Sequence, residues 1–128
     1  MFLLDTNICI GLLKGQPSLV DRLKPLAPSQ IAVCSVVVAE LIYGARKSQR
    51  VAENLETLRR FLRPLRSLPF DDRAAEDYGS IRADLERAGT PIGPNDLMIA
   101  SIARANDCVL VSRDVGFSGV VGLRRESW

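Results

Sequence analysis

Short apolar runs alternate along the chain with longer stretches in which apolar residues recur at helical spacing. The short runs are candidates for buried strands and cover residues 2–5, 31–34, 68–70, 109–111 and 123–125. Regular alternation of strands and helices is typical of an α/β fold with a parallel sheet. The pattern therefore predicts a parallel sheet of four to five strands that is flanked by helices.

Capping and breaking residues predict where the helices lie between these strands. Pro17 and Pro94 suit first helical turns, and Ser35 is a candidate N-cap. Pro64 and Gly89 are typical residues at which a helix stops. The predicted helices cover residues 6–13, 17–24, 35–46, 49–63, 72–88 and 94–105.

Length and composition indicate one globular domain over residues 1–128. The chain is 47% hydrophobic and 25% charged, which is the balance of a soluble protein with a core. No apolar stretch approaches the roughly 18 residues that a membrane span needs, and no basic leader precedes the first strand. Three cysteines, Cys9, Cys34 and Cys108, lie far apart among apolar residues. We expect them to be buried and reduced, and the protein to be cytoplasmic and not bound to a membrane.

Histidine is absent from the chain, which excludes several kinds of catalytic site. Serine–histidine–aspartate triads, histidine general bases and histidine-bound zinc all require this residue. A nucleophile at neutral pH would then have to be activated in another way, and a divalent metal ion is the natural candidate.

Four acidic residues lie at the junctions between predicted elements, each beside apolar sequence. Asp5 ends the first strand, Glu40 interrupts an apolar helix, Asp96 opens another helix, and Asp114 follows residues 109–111. A carboxylate beside a core is costly unless it is paired, hydrogen-bonded or bound to a metal. Parallel sheets bind ligands outside the carboxyl ends of their strands, and oxygen ligands suit Mg²⁺ or Mn²⁺. The four acids therefore predict a divalent metal site.

Each acid also has a purely structural explanation. Asp5 suits a helix cap, Asp96 interacts favourably with the dipole of the helix it opens, and Asp114 suits a solvated turn. Glu40 is harder to explain in this way because Val36, Val37, Leu41 and Ile42 surround it. The metal site is favoured by the set of four and by no single member.

A group of arginines recurs at helical spacing in the middle of the chain, at Arg59, Arg63 and Arg66. If these residues shared one helix face, they would hold the phosphate backbone of a nucleic acid. A solvated helix face gives the same spacing, and the spacing by itself favours that simpler explanation.

Four segments also resemble a known family, the PIN-domain ribonucleases, and within it the VapC toxins of bacterial type II toxin–antitoxin systems. The segments cover residues 3–7, 35–44, 91–100 and 110–117, so their order and spacing extend over essentially the whole chain. The resemblance implies a parallel PIN-type sheet and RNA cleavage that depends on Mg²⁺ or Mn²⁺. It also implies a homodimer and inhibition by a cognate antitoxin of the VapB type.

The same resemblance assigns roles to particular residues. Asp5, Glu40, Asp96 and Asp114 correspond to the acidic metal-binding and catalytic set, and Thr6, Asn7 and Ser112 correspond to positions that help to arrange the site. One segment departs from the family, which often has Thr-Asn-Asp or Thr-Asn-Asn where this chain has Ser112-Arg113-Asp114. Arg113 is therefore a candidate either for pairing with the acids or for contacting RNA.

Three other classes of protein share some of these features. A phosphatase of the haloacid-dehalogenase type needs a second acid two residues after the first, and Asn7 occupies that place. A response-regulator receiver needs paired acids after the first strand and a lysine after the last strand, and neither is evident. A non-catalytic module would use the acidic pocket to accept an arginine from a partner protein.

Overall fold

The computed structural model describes residues 1–128, whose centre is a sheet of five parallel strands. The spatial order of the strands is β3-β2-β1-β4-β5, which places β1 in the middle. The strand bounds are β1 Phe2–Leu4, β2 Ile31–Cys34, β3 Arg66–Leu68, β4 Val109–Val111 and β5 Arg124–Glu126. The predicted parallel α/β fold of four to five strands is confirmed.

Six α-helices connect the strands. Their bounds are α1 Thr6–Leu13, α2 Pro17–Leu23, α3 Ser35–Arg46, α4 Val51–Leu62, α5 Asp72–Arg87 and α6 Pro94–Ala105. Two short 3₁₀ helices, Pro28–Gln30 and Val115–Gly119, complete the structure. Every predicted helix is present, and the observed bounds differ from the predicted ones by at most two residues at either end.

Residues of the central strands are buried because helices cover both faces of the sheet. Leu3, Leu4 and Leu110 have no exposed surface, and Ile31–Cys34 is buried along its whole length. Their core cluster contains 27 buried residues. A parallel sheet that is buried in this way has near-continuous apolar strands, which is the pattern that the sequence displays.

All five strands run in the same direction, so their carboxyl ends meet at one edge of the sheet. The backbone N–H of Asp5 donates to the carbonyl of Val111 over 3.0 Å, which continues the β1–β4 pairing by one residue. Asp5 and Ser112 therefore leave neighbouring strands side by side. We call this end of the sheet the carboxyl edge.

Two local predictions were wrong. The third strand covers Arg66–Leu68, whereas the sequence predicted residues 68–70. Pro69 explains the difference, because a proline has no N–H with which to continue the strand pairing. Ser35 does not cap α3; Cys34 holds the cap position, and the Ser35 hydroxyl instead accepts a hydrogen bond of 3.3 Å from the N–H of Phe70.

The proposed arginine face on a single helix was also wrong. Helix α4 ends at Leu62, Arg63 is its C-cap, and Arg66 is the first residue of β3. Pro64 interrupts the helix, so the helical spacing of the three arginines in the sequence does not place them on one face. Arg59 and Arg63 remain one turn apart, and all three side chains are exposed.

The three cysteines are free and buried, as expected. Burial raises the pKa of the Cys34 thiol to about 11, and it also raises the pKa values of Cys9 and Cys108. The thiols are therefore protonated at neutral pH and act as small apolar side chains. No helix is both long and apolar enough to cross a lipid bilayer.

Candidate active site

Asp5 lies directly after the central strand and is 7% exposed. Its Oδ1 accepts a hydrogen bond of 2.8 Å from the N–H of Thr6, so the side chain caps helix α1. Its Oδ2 accepts a hydrogen bond of 2.7 Å from the hydroxyl of Ser112. The structural explanation for Asp5 is therefore correct, but it uses only one of the two carboxylate oxygens.

Ser112 is fully buried after β4 and connects two of the acids. Its hydroxyl donates to Asp5, and the same oxygen accepts a hydrogen bond of 3.0 Å from the N–H of Asp114. A hydroxyl has one donor and two acceptor positions, so both bonds can form together. Ser112 thus holds the Asp5 side chain and the start of the Asp114 turn at one place on the carboxyl edge.

Glu40 reaches the same region from helix α3, where it is half-buried. The hydroxyl of Thr6 donates a hydrogen bond of 3.0 Å to Oε1 of Glu40. Because Thr6 also donates its N–H to Asp5, this single residue contacts two acids from different elements. Asn7 is exposed at the same end of α1.

Asp96 occupies the first turn of α6 and is half-buried. Burial of the carboxyl, and after it the negative charges of Asp5, Asp114 and Glu40, together raise the pKa of Asp96 from 3.8 to about 6. Because each of the other three acids contributes to this rise in pKa, the four carboxyl groups lie in one region of the structure. The mutual repulsion that the sequence predicted is therefore present at Asp96.

Asp114 is exposed and caps the 3₁₀ helix Val115–Gly119 by accepting a hydrogen bond of 2.8 Å from the N–H of Gly116. The sequence reading missed this helix, although an aspartate followed two residues later by glycine is a known signal of such a turn. Arg113 turns away from the acids. It donates to the backbone carbonyl of Trp128 over 2.7 Å and, more weakly, to the side chains of Gln16 and Ser18.

The four acids form an uncompensated negative patch. Seven ion pairs are present in the structure, and none of them includes Asp5, Glu40, Asp96 or Asp114. The donor atoms are oxygens only, which fits a hard divalent cation. However, no three acidic, cysteine or histidine side chains are positioned to enclose an ion by themselves. A bound cation would need side-chain movement or water ligands, and Mg²⁺ commonly retains several waters.

The three arginines that the sequence grouped do not join this patch. Arg66 begins β3, and Arg63 caps the helix that precedes it. Since all strands run in one direction, Arg66 lies toward the edge of the sheet that is opposite to the carboxyl edge.

The PIN-domain family model matches residues 2–123 of this chain, which is nearly its whole length. A tRNA(fMet)-specific endonuclease VapC from Shigella flexneri is 42% identical over 128 residues, which cover 99% of this chain and 97% of that protein. The chain therefore belongs to the PIN-domain family, in its VapC group.

Two solved structures have the same fold over nearly their whole length. VapBC2 from Rickettsia felis, bound to a DNA fragment from its promoter, gives a TM-score of 0.93 at 37% identity and covers 99% of this chain and 98% of that chain. DNA-bound VapBC from Salmonella typhimurium gives a TM-score of 0.92 at 39% identity, with coverage of 99% and 97%.

Proposed function

We propose that this protein is a metal-dependent endoribonuclease, the toxin of a toxin–antitoxin pair, which hydrolyses phosphodiester bonds in RNA. The observation that carries the proposal is the group of four acids at the carboxyl edge, three of which Thr6 and Ser112 connect by hydrogen bonds and none of which forms an ion pair. The raised pKa of Asp96 agrees with it. The VapC relatives support it, because they are named as ribonucleases and endonucleases.

In this proposal Asp5, Glu40, Asp96 and Asp114 hold Mg²⁺ or Mn²⁺. The cation supplies charge neutralisation for the phosphoryl group and lowers the pKa of a water molecule. The protein's own residues position the acids: Thr6 holds Glu40, and Ser112 holds Asp5 together with the Asp114 turn. Asn7 lies at the same end of α1 and is available for contact with the substrate.

We propose further that a VapB-type antitoxin inhibits the site. A groove of about 370 Å³ lies beside Glu40, and its apolar lining residues include Ile10, Leu13, Leu41 and Leu58. An amphipathic helix can lay its apolar face in such a groove, and an arginine next to it would bind the unpaired carboxylates. The solved VapBC neighbours contain both proteins of such a pair. By the same family argument we expect a homodimer.

Residues 1–128 would form one nuclease domain that acts in the cytoplasm. The three buried free thiols suit the reducing conditions of that compartment.

RNA cleavage tests this proposal directly. The wild-type protein should cleave RNA when Mn²⁺ or Mg²⁺ is added and should lose this activity in EDTA. The Asp5→Asn protein is the matched control, because asparagine has the same shape and keeps one acceptor for the N–H of Thr6. Equal cleavage by both proteins at equal purity would contradict the proposed role of Asp5 and would point to a contaminating nuclease.

Growth of cells tests the toxin role separately. Expression of the wild-type chain alone should arrest growth, and expression of the Asp5→Asn chain should not. If cells tolerated both forms at matched protein levels, the toxin role would be wrong, whereas RNA cleavage in vitro would still support a nuclease.

A further inference from the structure

Beside the N-terminal end of α6 lies a cavity of about 230 Å³ that the site described above does not use. Helix α5 forms one wall with Tyr78, Arg82 and Glu86. The other wall contains Pro91, Ile92 and Leu97. We call this cavity the α5 slot. Pockets for drug-sized ligands have about 300–1,000 Å³, so the slot suits a single ring system.

The helix wall of the α5 slot presents hydrogen-bonding groups in a row. Tyr78, Arg82 and Glu86 are spaced four residues apart, which puts them on one face of α5. Nε of Arg82 donates to Glu86 over 3.0 Å, and Nη1 of Arg82 donates to the Tyr78 hydroxyl over 3.2 Å. Donor and acceptor groups therefore stand next to each other along this wall.

The second wall is apolar, and its residues are neighbours of Asp96 and of the turn that carries Asp114. Pro94 and Leu97, which line the slot, flank Asp96 in α6. Ile92 packs near the Asp114 turn, where a Cβ built on Gly116 would lie 3.7 Å from Cγ2 of Ile92. The segment of residues 90–93 is thus placed between the α5 slot and the turn that carries Asp114.

A flat ring with a polar edge fits this combination of walls. Single-stranded RNA is recognised by packing the face of a base on apolar, aromatic or guanidinium groups while side chains bind its edge. Guanine presents the acceptor O6 beside the donors N1–H and N2–H₂. Arg82 donates to an acceptor, and the two carboxylate oxygens of Glu86 accept from two donors. Adenine and cytosine have an amino donor at the place of guanine O6, so they could not accept the hydrogen bond that Arg82 donates.

The ion pair in the slot does not prevent binding. Its two side chains are 55% and 54% exposed, and an exposed ion pair contributes little to stability. Rearranging it around a base therefore costs little, and each partner would exchange one charge-assisted bond for another.

We propose that the α5 slot binds one guanine base of the RNA substrate and makes cleavage selective for a guanine near the cut. The inference rests on the proposed ribonuclease function, because it assumes that RNA lies along the acids. Arg82 and Glu86 determine the specificity, and the apolar wall supports the face of the base.

Binding to a form of the protein that does not cleave tests the slot without relying on catalysis. In the Asp5→Asn background, fluorescence anisotropy would compare a labelled oligoadenylate that carries one central guanine with the same RNA carrying inosine or adenine there. We expect about tenfold tighter binding for guanine than for adenine, with inosine in between because it lacks the N2 amino group. Adding Glu86→Gln should remove most of this preference.

Arg87→Gln is the matched control, because Arg87 lies on the same helix and pairs with Asp84 but does not line the slot. This variant should keep the full guanine preference. Arg82→Met provides a second test of the slot and should weaken binding of the guanine RNA more than binding of the adenine RNA. Thermal unfolding would verify that all variants are folded.

The outcomes separate the slot from the proposed function. Suppose that the wild-type protein cleaves RNA, but that adding Glu86→Gln to the Asp5→Asn protein leaves its preference for guanine unchanged. The slot inference is then overturned, and the proposed ribonuclease function stands. If Glu86→Gln weakened binding of the guanine, inosine and adenine RNAs equally, the inference would also be overturned, because Glu86 would then contribute to RNA binding without distinguishing the bases. If wild-type protein cleaves no RNA, the proposed function fails, and the anisotropy measurements still decide whether the slot selects guanine.

Discussion

The hydroxyl of Ser112 donates a 2.7 Å hydrogen bond to Oδ2 of Asp5, although 107 residues separate the two in the chain. Both residues are buried, and they leave the neighbouring strands β1 and β4 at the carboxyl edge. The hydrogen bond fixes the side chain of Asp5, and each of its carboxylate oxygens keeps a lone pair that a cation could use. Ser112 therefore holds Asp5 and the Asp114 turn next to each other.

Replacing Ser112 by alanine should disturb both stability and activity. The change removes the donor to Asp5 and the acceptor for the N–H of Asp114 in a fully buried place. Leaving buried polar groups unsatisfied costs about 1–3 kcal/mol, which thermal or urea unfolding would measure. We expect cleavage to fall by roughly tenfold or more, in line with losses seen when residues that orient metal ligands are removed. Ser112→Thr keeps the hydroxyl and should retain more activity than Ser112→Ala at matched stability; the reverse order would refute the positioning role.

Removing the Thr6 hydroxyl should affect catalysis more than folding. Thr6→Val keeps the shape of the side chain but leaves Oε1 of half-buried Glu40 without its donor. The free energy of unfolding should change by only about 1 kcal/mol, because water can replace the lost hydrogen bond. The concentration of Mn²⁺ that gives half-maximal cleavage should rise, since Glu40 would lose its orientation. Thr6→Ser restores the donor and should restore the metal response, whereas identical curves for both variants would show that the bond is dispensable.

From the raised pKa of Asp96 we predict how the stability of the protein changes with pH in metal-free buffer. Its pKa rises from 3.8 to about 6 in the folded protein, so the folded state holds this proton more tightly than the unfolded state. Asp96 therefore makes the protein less stable as pH rises from about 4 to 6. Asp96→Asn should then stabilise the protein at pH 7.5 by about 1 kcal/mol, a value reduced for solvent screening because the side chain is only half-buried.

At pH 4 the wild-type and Asp96→Asn proteins should have nearly equal stability, because Asp96 is then protonated. Adding Mg²⁺ or Mn²⁺ at pH 7.5 should raise the unfolding temperature of the wild type and should have less effect on the variant. Unfolding temperatures measured across this pH range would test both statements. A variant that is less stable than the wild type at every pH would show that repulsion at Asp96 is not the dominant effect.

Arg59 and Arg63 remain candidates for RNA contact, although they do not share a helix face with Arg66. Replacing both with glutamine should lower the salt dependence of RNA binding, with a slope smaller by roughly 1.4 if each contacts one phosphate of a single strand. The turnover rate at saturating RNA should not change, because the acids lie elsewhere. The control is the double variant Arg87→Gln with Arg124→Gln, which removes the same charge from other surfaces. Equal salt-dependence slopes in the wild type, this double variant and the control would show that Arg59 and Arg63 contribute to solubility and not to RNA binding. The Arg66→Gln variant would be measured separately.

The sequence predicted the structure best where a continuous apolar segment had to be buried. The apolar runs at Phe2–Leu4 and Ile31–Cys34 had to be buried, so their strand assignment and parallel arrangement could be predicted. Predictions failed where two local signals competed. Pro69 ends the third strand after Leu68, so that this strand lies two residues earlier than predicted. Pro64 separates Arg66 from the helix that carries Arg59, so the regular spacing of the arginines did not place them on one face.

The sequence by itself determined the kind of fold, the candidate acids Asp5, Glu40, Asp96 and Asp114, and the absence of any histidine chemistry, because composition and hydrophobic periodicity are properties of the chain alone. Only the tertiary structure decided how these acids are held. The contacts from Ser112 to Asp5 and from Thr6 to Glu40 join residues that are far apart in the chain. Likewise, the direction of Arg113, away from the acids, depends on where Trp128 lies. Such hydrogen bonds depend on distances between elements, which are set only when the helices pack on the sheet.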